Sequence, residues 1–396
     1  MRGLHLPVWF GVADLPKAMP FAFLYATQGM ARTVLMTVIP LRALELLGTA
    51  QEVSMLYLAV SLLGLVGSLF MPLLVHVIRR RRVVVVGIAV VCASAVMLQA
   101  DDLVLYGIGM ALYVVGFIAT DICFNLYLMD SIPRKEFGRF EPVRVWFLGI
   151  AFIVGPYLGV RLWNDVDPWL PSLLTIVFAL VLLALFLYLR LSDSPVFQAA
   201  KAPPPNPIRF FPRFFRQPRL RLAWLLAVGR SAWWAMFFIY APIYCVEAGL
   251  GNDVAGMMAS VGSAAVLLVP LWARIGRRYG IRTLMVVGYA ASAVASLIVA
   301  AAAGSPWLGA SLLLVAAFAT SLIDGAGNML FLRAVHPYER PEMTSVFTTY
   351  RDTSQIGPPA VFSVLLKIFA LPAVFAAAGL GMAVMARYAR FIPKRY

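Results

Sequence analysis

Long apolar runs separated by short polar or basic breaks recur along the whole chain. A bilayer-crossing helix needs roughly 20 such residues. Runs of that kind fall at 21–47, 53–77, 83–99, 103–129, 141–161, 169–191, 220–247, 253–273, 282–303, 306–332, 342–366 and 369–388. They predict twelve membrane-crossing helices with a wider break after the sixth. That break holds "KAPPPNPIRFFPRFFRQP", whose prolines interrupt a helix and whose arginines and phenylalanines suit a membrane interface. The expected architecture is all-α, with six-helix bundles at 1–192 and 220–396 joined by a linker over 193–219.

Composition moves the picture from globule to membrane. Of 396 residues, 62% are hydrophobic and 13% charged, against about 25% charged in a soluble domain. The mean hydropathy is +0.86. A net charge of +15 would suggest nucleic acid in a soluble chain. Here it reports orientation, because basic residues gather on cytoplasmic loops. Of 33 lysines and arginines, four lie inside predicted spans (Arg32, Arg144, Arg230, Arg351) and three on one set of loops (Arg42, Arg161, Lys367). The rest, including "RRRR" at 79–82 and "RIGRRYGIR" at 274–282, fall on the other side. Both termini and the linker are therefore expected in the cytoplasm, with the chain in a bacterial inner membrane. The start, "MRGLHLPVWFGVADLPKAM", lacks the layout of a cleavable signal peptide.

Several chemistries find no motif. There is no GxxxxGK[ST], no HExxH and no GxSxG, so neither an ATP-driven pump nor a membrane enzyme is expected, and no cofactor or metal. Cys92, Cys123 and Cys245 are scattered and read as free thiols. His5, His76 and His336 all fall away from the span centres.

The halves repeat one another. "PLLVHVIRRRRVVVVG" (Pro72 to Gly87) parallels "PLWARIGRRYGIRTLMVVG" (Pro270 to Gly288), with Pro72 and Arg79 matching Pro270 and Arg277 at an offset of 198. "DICFN" at 121–125 parallels "DGAGN" at 324–328 at an offset of 203, and Gly155-Pro156 parallels Gly357-Pro358 at 202. One order in both halves points to two six-helix repeats.

Twelve spans as six plus six, a basic linker and a basic loop between spans two and three resemble the major facilitator superfamily. The loop "MDSIPRKEFGRFEP" (129–142) is similar to that family's Asp-x-x-Pro…Gly-Arg loop. "GIAFIVGPYLG" (149–159) is similar to the Gly-Pro-x-x-Gly motif of its proton-coupled antiporters. The chain departs from the family where an aspartate belongs in the basic loops, near His76 and near Arg277. The resemblance implies alternating access, with two bundles rocking around a central cavity.

Ionisable groups inside a membrane are costly and mark function by default. Seven lie in the spans: Arg32, Asp121, Arg144, Arg230, Asp324, Arg351 and Asp352. Arg32 and Arg230 match at the 198 offset. Each sits about eleven residues into its span, roughly 16 Å along a helix rising ~1.5 Å per residue. That is near the middle of a ~30 Å hydrocarbon core. The resemblance implies that both line the cavity. Arginine's planar fork fits carboxylate and phosphate oxygens, so an anionic ligand suits the two; the competing reading pairs each with a carboxylate on a neighbouring helix. Asp121 with Arg144, and Asp324 with Arg351, lie on consecutive spans, which offers each half one neutral pair. Four positive against three negative charges leave one cation over. A buried aspartate, Asp121 or Asp324, is the candidate for proton coupling.

Further lining residues follow from helical spacing. Trp234 and Phe237 continue the Arg230 stripe, while Tyr25 and Gln28 share the Arg32 face. Asn125, Asn328 and Tyr350 are polar groups within spans. The expectation is a secondary transporter, a monomer in membrane lipid, that moves a small organic anion with protons. The alternatives are drug or metabolite efflux by proton antiport, favoured by the Gly155-Pro156 motif, and movement of an anionic amphiphile or lipid. Nucleic acid has no place in any of them.

Overall fold

The computed structural model describes residues 15–131, 134–189, 207–302, 304–336 and 339–393. The linker stretch 190–206 lies outside them, as do the side chains of 129–143 and of His76. Every element among the described residues is helical: α1 (Leu15–Met36), α2 (Val38–Leu47), α3 (Ala50–Ile78), α4 (Arg80–Met97), α5 (Leu103–Ser131), α6 (Arg134–Asp165), α7 (Leu170–Tyr188), α8 (Pro207–Arg216) and α9 (Pro218–Glu247). There follow α10 (Asn252–Ala264), α11 (Val269–Tyr279), α12 (Ile281–Ala301), α13 (Pro306–Asp324), α14 (Met329–Ala334), α15 (Arg340–Phe347), α16 (Tyr350–Leu365) and α17 (Pro372–Ala389). Helix lies over each of the twelve predicted spans. Nine stretches among the described residues are long and apolar enough to cross a bilayer.

The interruptions have local causes. Pro40 lacks the N–H that would bond to the Met36 carbonyl, and α1 gives way to α2 at Thr37. Pro270 likewise leaves the Val266 carbonyl without its helical donor, and a 3₁₀ turn (Ala265–Leu268) separates α10 from α11. The fourth span of the second half breaks after Asp324 through "GAG", where Gly327 has φ 49°.

The chain forms two compact units. One comprises residues 1–39 and 63–203, the other 40–62 and 204–396. In the first, α1 packs along α6 and α7, and α4 along α5. The α1–α6 seam is the tightest. A Cβ on Gly155 would sit 2.0 Å from Thr33 Oγ1, and one on Gly159 only 1.8 Å from the Val34 carbonyl oxygen. Across the same seam Thr33 Oγ1 donates to the Ala151 carbonyl at 2.8 Å. The Gly-Pro-x-x-Gly stretch is thus the surface that seats α1.

In the second unit α12 packs on α13 and α17, and α9 on α16. The interfacial helix α8 docks on α15. Phe214 is fully buried among Met343, Val346 and Phe347, and Arg213 pairs with Glu339 and, at 3.8 Å, with Glu342. Residues 40–62 join this unit, where Ser54 and Tyr240 share a hydroxyl–hydroxyl bond of 2.7 Å.

The basic corners of the halves align differently from the sequence match. Arg79 precedes α4 with φ 76°, and Gly280 precedes α12 with φ 89°. Arg79 therefore corresponds to Gly280, an offset of 201, the same as that between Gly87 and Gly288. The 198 alignment of this corner differs by three residues, close to one helical turn, and so keeps nearly the same helix face. The left-handed backbone at Arg79 costs ~1–3 kcal/mol for a residue with a Cβ. Part of that returns as unfolded-state entropy on changing to glycine. Arg79→Gly is expected to stabilise by about 1 kcal/mol, and Gly280→Ala to destabilise by ~1–3 kcal/mol, both read by thermal unfolding in detergent.

Candidate functional site

Each unit carries one arginine of its first spanning helix bound to an aspartate of its fourth. In the first unit Arg32 Nη1 lies 3.2 Å from Asp121 Oδ2. Gln28 Nε2 donates to the other oxygen, Oδ1, at 2.7 Å, and to Thr120 Oγ1 at 2.9 Å. In the second unit Arg230 Nε lies 3.3 Å from Asp324 Oδ1, and Trp234 Nε1 donates to Oδ2 at 3.0 Å. The neutral donors sit one turn from their arginines, Gln28 four residues before and Trp234 four after. Both carboxylates are thus held by a charged and a neutral donor from the same helix.

The competing sequence reading, which gave Arg32 and Arg230 carboxylate partners on other helices, describes both pairs; the Asp121–Arg144 and Asp324–Arg351 combinations do not form. Asp121 meets Arg32 instead of Arg144, and Asp324 meets Arg230 instead of Arg351. Helix adjacency in sequence was a poor guide because rotation about each helix axis decides which side chains meet. Arg144 stands over the Tyr25 ring at 4.9 Å. Arg351 and Arg230 both lie near the Tyr350 ring, at 5.9 and 6.0 Å, and Arg351 Nε donates to its hydroxyl at 3.4 Å. Among the described residues no carboxylate lies within ion-pair distance of Arg351. Asp352 follows it, half-buried, in the first turn of α16.

The two pairs differ in environment. The Arg32 and Asp121 side chains are 47% and 40% exposed, whereas Arg230 and Asp324 are 12% and 22% exposed. Arg32 engages its aspartate through one nitrogen, with the Phe117 ring 5.8 Å away. Tyr25 and Gln28 are buried; Tyr25 donates to Asn125 Oδ1 at 3.0 Å, and Asn125 Nδ2 to the Asp121 carbonyl at 2.8 Å. These three hold Asp121 in place. In the second unit Arg230 and Asn328 line a space of about 10 Å³ with Gly327, Phe331 and Phe347, room for a single water.

Phe237 is a correction. It is fully buried, stacked on Trp233, and its ring occupies the room where a Cβ on Gly262 would lie. It belongs to the helix packing and not to a ligand-facing wall. Sequence reading also passed over two tyrosines. Tyr113 on α5 donates to the backbone carbonyl of Arg32, and Tyr289 on α12 to that of Leu226, one turn before Arg230. The signal was available: a tyrosine inside an apolar span must find an acceptor for its hydroxyl. Cys92, Cys123 and Cys245 are unbonded.

Comparison with known proteins bears on this arrangement. The family model of the Major Facilitator Superfamily matches residues 21–359. No curated protein sequence matches the chain. Among solved structures, the nucleoside transporter NupG is similar over 95% of this chain and 98% of its own, at 14% identity and a TM-score of 0.71. The peptide transporter POT in complex with sulfate is similar over 94% and 93%, at 13% identity and a TM-score of 0.74. A mutant of POT in complex with alafosfalin is similar over 98% of both chains, at 14% identity and a TM-score of 0.72. Identities this low speak for the fold alone.

Proposed function

This chain belongs to the Major Facilitator Superfamily and is an integral membrane secondary transporter, and we propose that its cargo is a small organic anion bearing a carboxylate or phosphate. The observation that carries the reading is the half-exposed Arg32, tied to Asp121 through one nitrogen and repeated as Arg230 with Asp324. A guanidinium already neutralised by a carboxylate can exchange that partner for a substrate anion. The aspartate left behind then takes up a proton, and the membrane interior holds the same net charge before and after. Such an exchange couples proton and anion movement in an alternating-access cycle.

Asn328, Trp234 and Tyr350 offer polar and aromatic contacts to the bound anion, and Tyr25, Gln28 and Asn125 fix Asp121. Arg144, Arg351 and Asp352 add one net positive charge to the spans, which favours an anion over a cation. Trp234 beside Asp324 supports a second reading, in which the anion is the head of an amphiphile. The basic loops support cytoplasmic termini and a bacterial inner membrane as the location, and the protein works as a monomer.

Thermal unfolding of the purified protein against organic anions, cations and neutral solutes tests the reading. A ligand at about 100 times its Kd adds ~2.7 kcal/mol. Anions are expected to raise the midpoint of the native protein and leave Arg32→Ala unmoved. Stabilisation by cations, equal in Arg32→Ala, would transfer the assignment to efflux.

A further inference from the structure

Tyr350 and Arg351 open α16 beside the Arg230–Asp324 pair. The Tyr350 side chain is buried, and two guanidiniums share its ring, Arg230 at 6.0 Å and Arg351 at 5.9 Å from the centroid. Both are within the range at which a cation is drawn to an aromatic face. Arg351 Nε also donates to the Tyr350 hydroxyl at 3.4 Å. The two cations thus flank one tyrosine, no farther apart than the sum of their ring distances. Their circumstances differ. Arg230 is held by Asp324 at 3.3 Å, whereas among the described residues no carboxylate lies within ion-pair distance of Arg351. Asp352 follows it and points about 100° away around the helix. One turn along α16, Ser61 Oγ donates to the Gln355 carbonyl at 3.1 Å, so this side of α16 is turned to another helix and not to lipid. Arg351 is exposed there, which leaves open space beside its charge.

We propose that Arg351 determines specificity at the transport site by taking a second anionic group, so that the cargo is a short molecule bearing two, such as a dicarboxylate or a phosphorylated carboxylic acid. This rests on the anion exchange proposed for Arg230 and Asp324, and charge then decides between one anionic group and two. Once Asp324 has released Arg230 and taken up a proton, Arg230 and Arg351 are both cations without a carboxylate. One anionic group on the cargo leaves one of them uncompensated; two leave neither. Arg230 is only 12% exposed, and an uncompensated charge in such surroundings is costly. Arg351 has no carboxylate to give up, so the group that docks on it displaces none. Its fork fits carboxylate and phosphate oxygens alike. The shared Tyr350 ring fixes the span between the two forks, which favours a short cargo over a long one.

The test follows thermal unfolding of the full chain in an uncharged detergent at constant ionic strength. The probes are malonate, succinate, glutarate and phosphoglycolate, each beside its counterpart with one carboxylate: propionate, butyrate, pentanoate and glycolate. At least one dianion is expected to stabilise the native protein. Its counterpart should need about tenfold more for the same shift, the loss of one charge-assisted contact. Arg351→Gln should need about tenfold more of the dianion and treat the two probes alike. Arg277→Gln removes an exposed charge elsewhere and should behave as the native protein does. Native protein that responds to single carboxylates as strongly as to dianions overturns the second contact and leaves the single-anion site standing. An Arg351→Gln protein that keeps the preference, or an equal loss in Arg277→Gln, has the same consequence. No stabilisation by any of these anions overturns the anion site itself, and the second contact with it. Should Arg351→Gln not fold, Arg351→Lys, which keeps the charge and loses the fork, is expected to lose part of the preference; a full preference there overturns the assignment.

Discussion

Asp324→Ala is expected to destabilise the protein by ~3–5 kcal/mol, and Asp121→Ala by ~1 kcal/mol or less. The bonds are nearly the same length, 3.3 and 3.2 Å, so distance does not separate them. Solvation does. Removing Asp324 leaves Arg230 charged, 12% exposed, and with the Tyr350 ring as its nearest compensation. Arg32 is 47% exposed and, on the proposed transport path, faces a water-filled cavity once its partner is gone. An apolar replacement of both members, Arg230→Met with Asp324→Leu, should recover most of the loss, because an intact buried pair contributes little net stability while a broken one is costly. Thermal unfolding of the four proteins in one detergent measures this. Equal losses from Asp324→Ala and Asp121→Ala would mean that the two sites share one environment. Transport responds differently: under the proposed exchange both single variants should lose proton-coupled transport, because each removes a carboxylate that the exchange uses.

The second large effect is expected from one methyl group. Gly159→Ala places a Cβ 1.8 Å from the Val34 carbonyl oxygen, and a backbone oxygen in a helix has nowhere to retreat. The α1 and α6 helices must part, at a cost at or above the upper end of the ~1–3 kcal/mol usual for overpacking. Arg32 lies on α1 two residues before Val34, about half a turn from this contact, so transport falls as well. In the second half's Gly-Pro dipeptide Gly357 matches Gly155, the other glycine of this seam, yet a Cβ on Gly357 meets nothing within 4 Å. Gly357→Ala is therefore expected to lie within about 0.5 kcal/mol of the native protein, or to gain slightly from alanine's better helix propensity. Folded yield and unfolding midpoint of the two alanine variants provide the comparison. A Gly159→Ala protein as stable as Gly357→Ala would refute the close seam.

Much of the fold was legible because a membrane imposes a one-dimensional rule. Apolar length predicts where helix must lie, since a continuous apolar run of that length satisfies its own backbone hydrogen bonds in lipid only as a helix, the alternative closed barrel being built of short alternating strands. Each of the twelve predicted runs is helical. The repeat was legible too, and it located Arg32 and Arg230 as equivalent before any geometry was known. Repeat alignment reached its limit at the basic corner, where Arg79 and Gly280 share a backbone conformation and no side-chain chemistry. A three-residue shift there keeps nearly the same helical face, so the pattern of side chains does not distinguish the two alignments.

Partner choice was not legible. Asp121 lies 23 residues before Arg144 and 89 after Arg32, and sequence proximity favoured the wrong one. Tertiary structure decided through the rotation of each helix about its axis, which small residues and buried tyrosines control. Gly155 and Gly159 seat α1 on α6, and Tyr113 ties the Arg32 backbone to α5. By itself the sequence located the helices and the charged side chains set within apolar runs, because the free energy of lipid transfer is read residue by residue. Only the tertiary structure decided which charges neutralise one another, that Phe237 is packing, and that one pair is half-exposed while the other is largely enclosed. Those are properties of contacts between distant helices, and the energy of a contact depends on its surroundings more than on its residues.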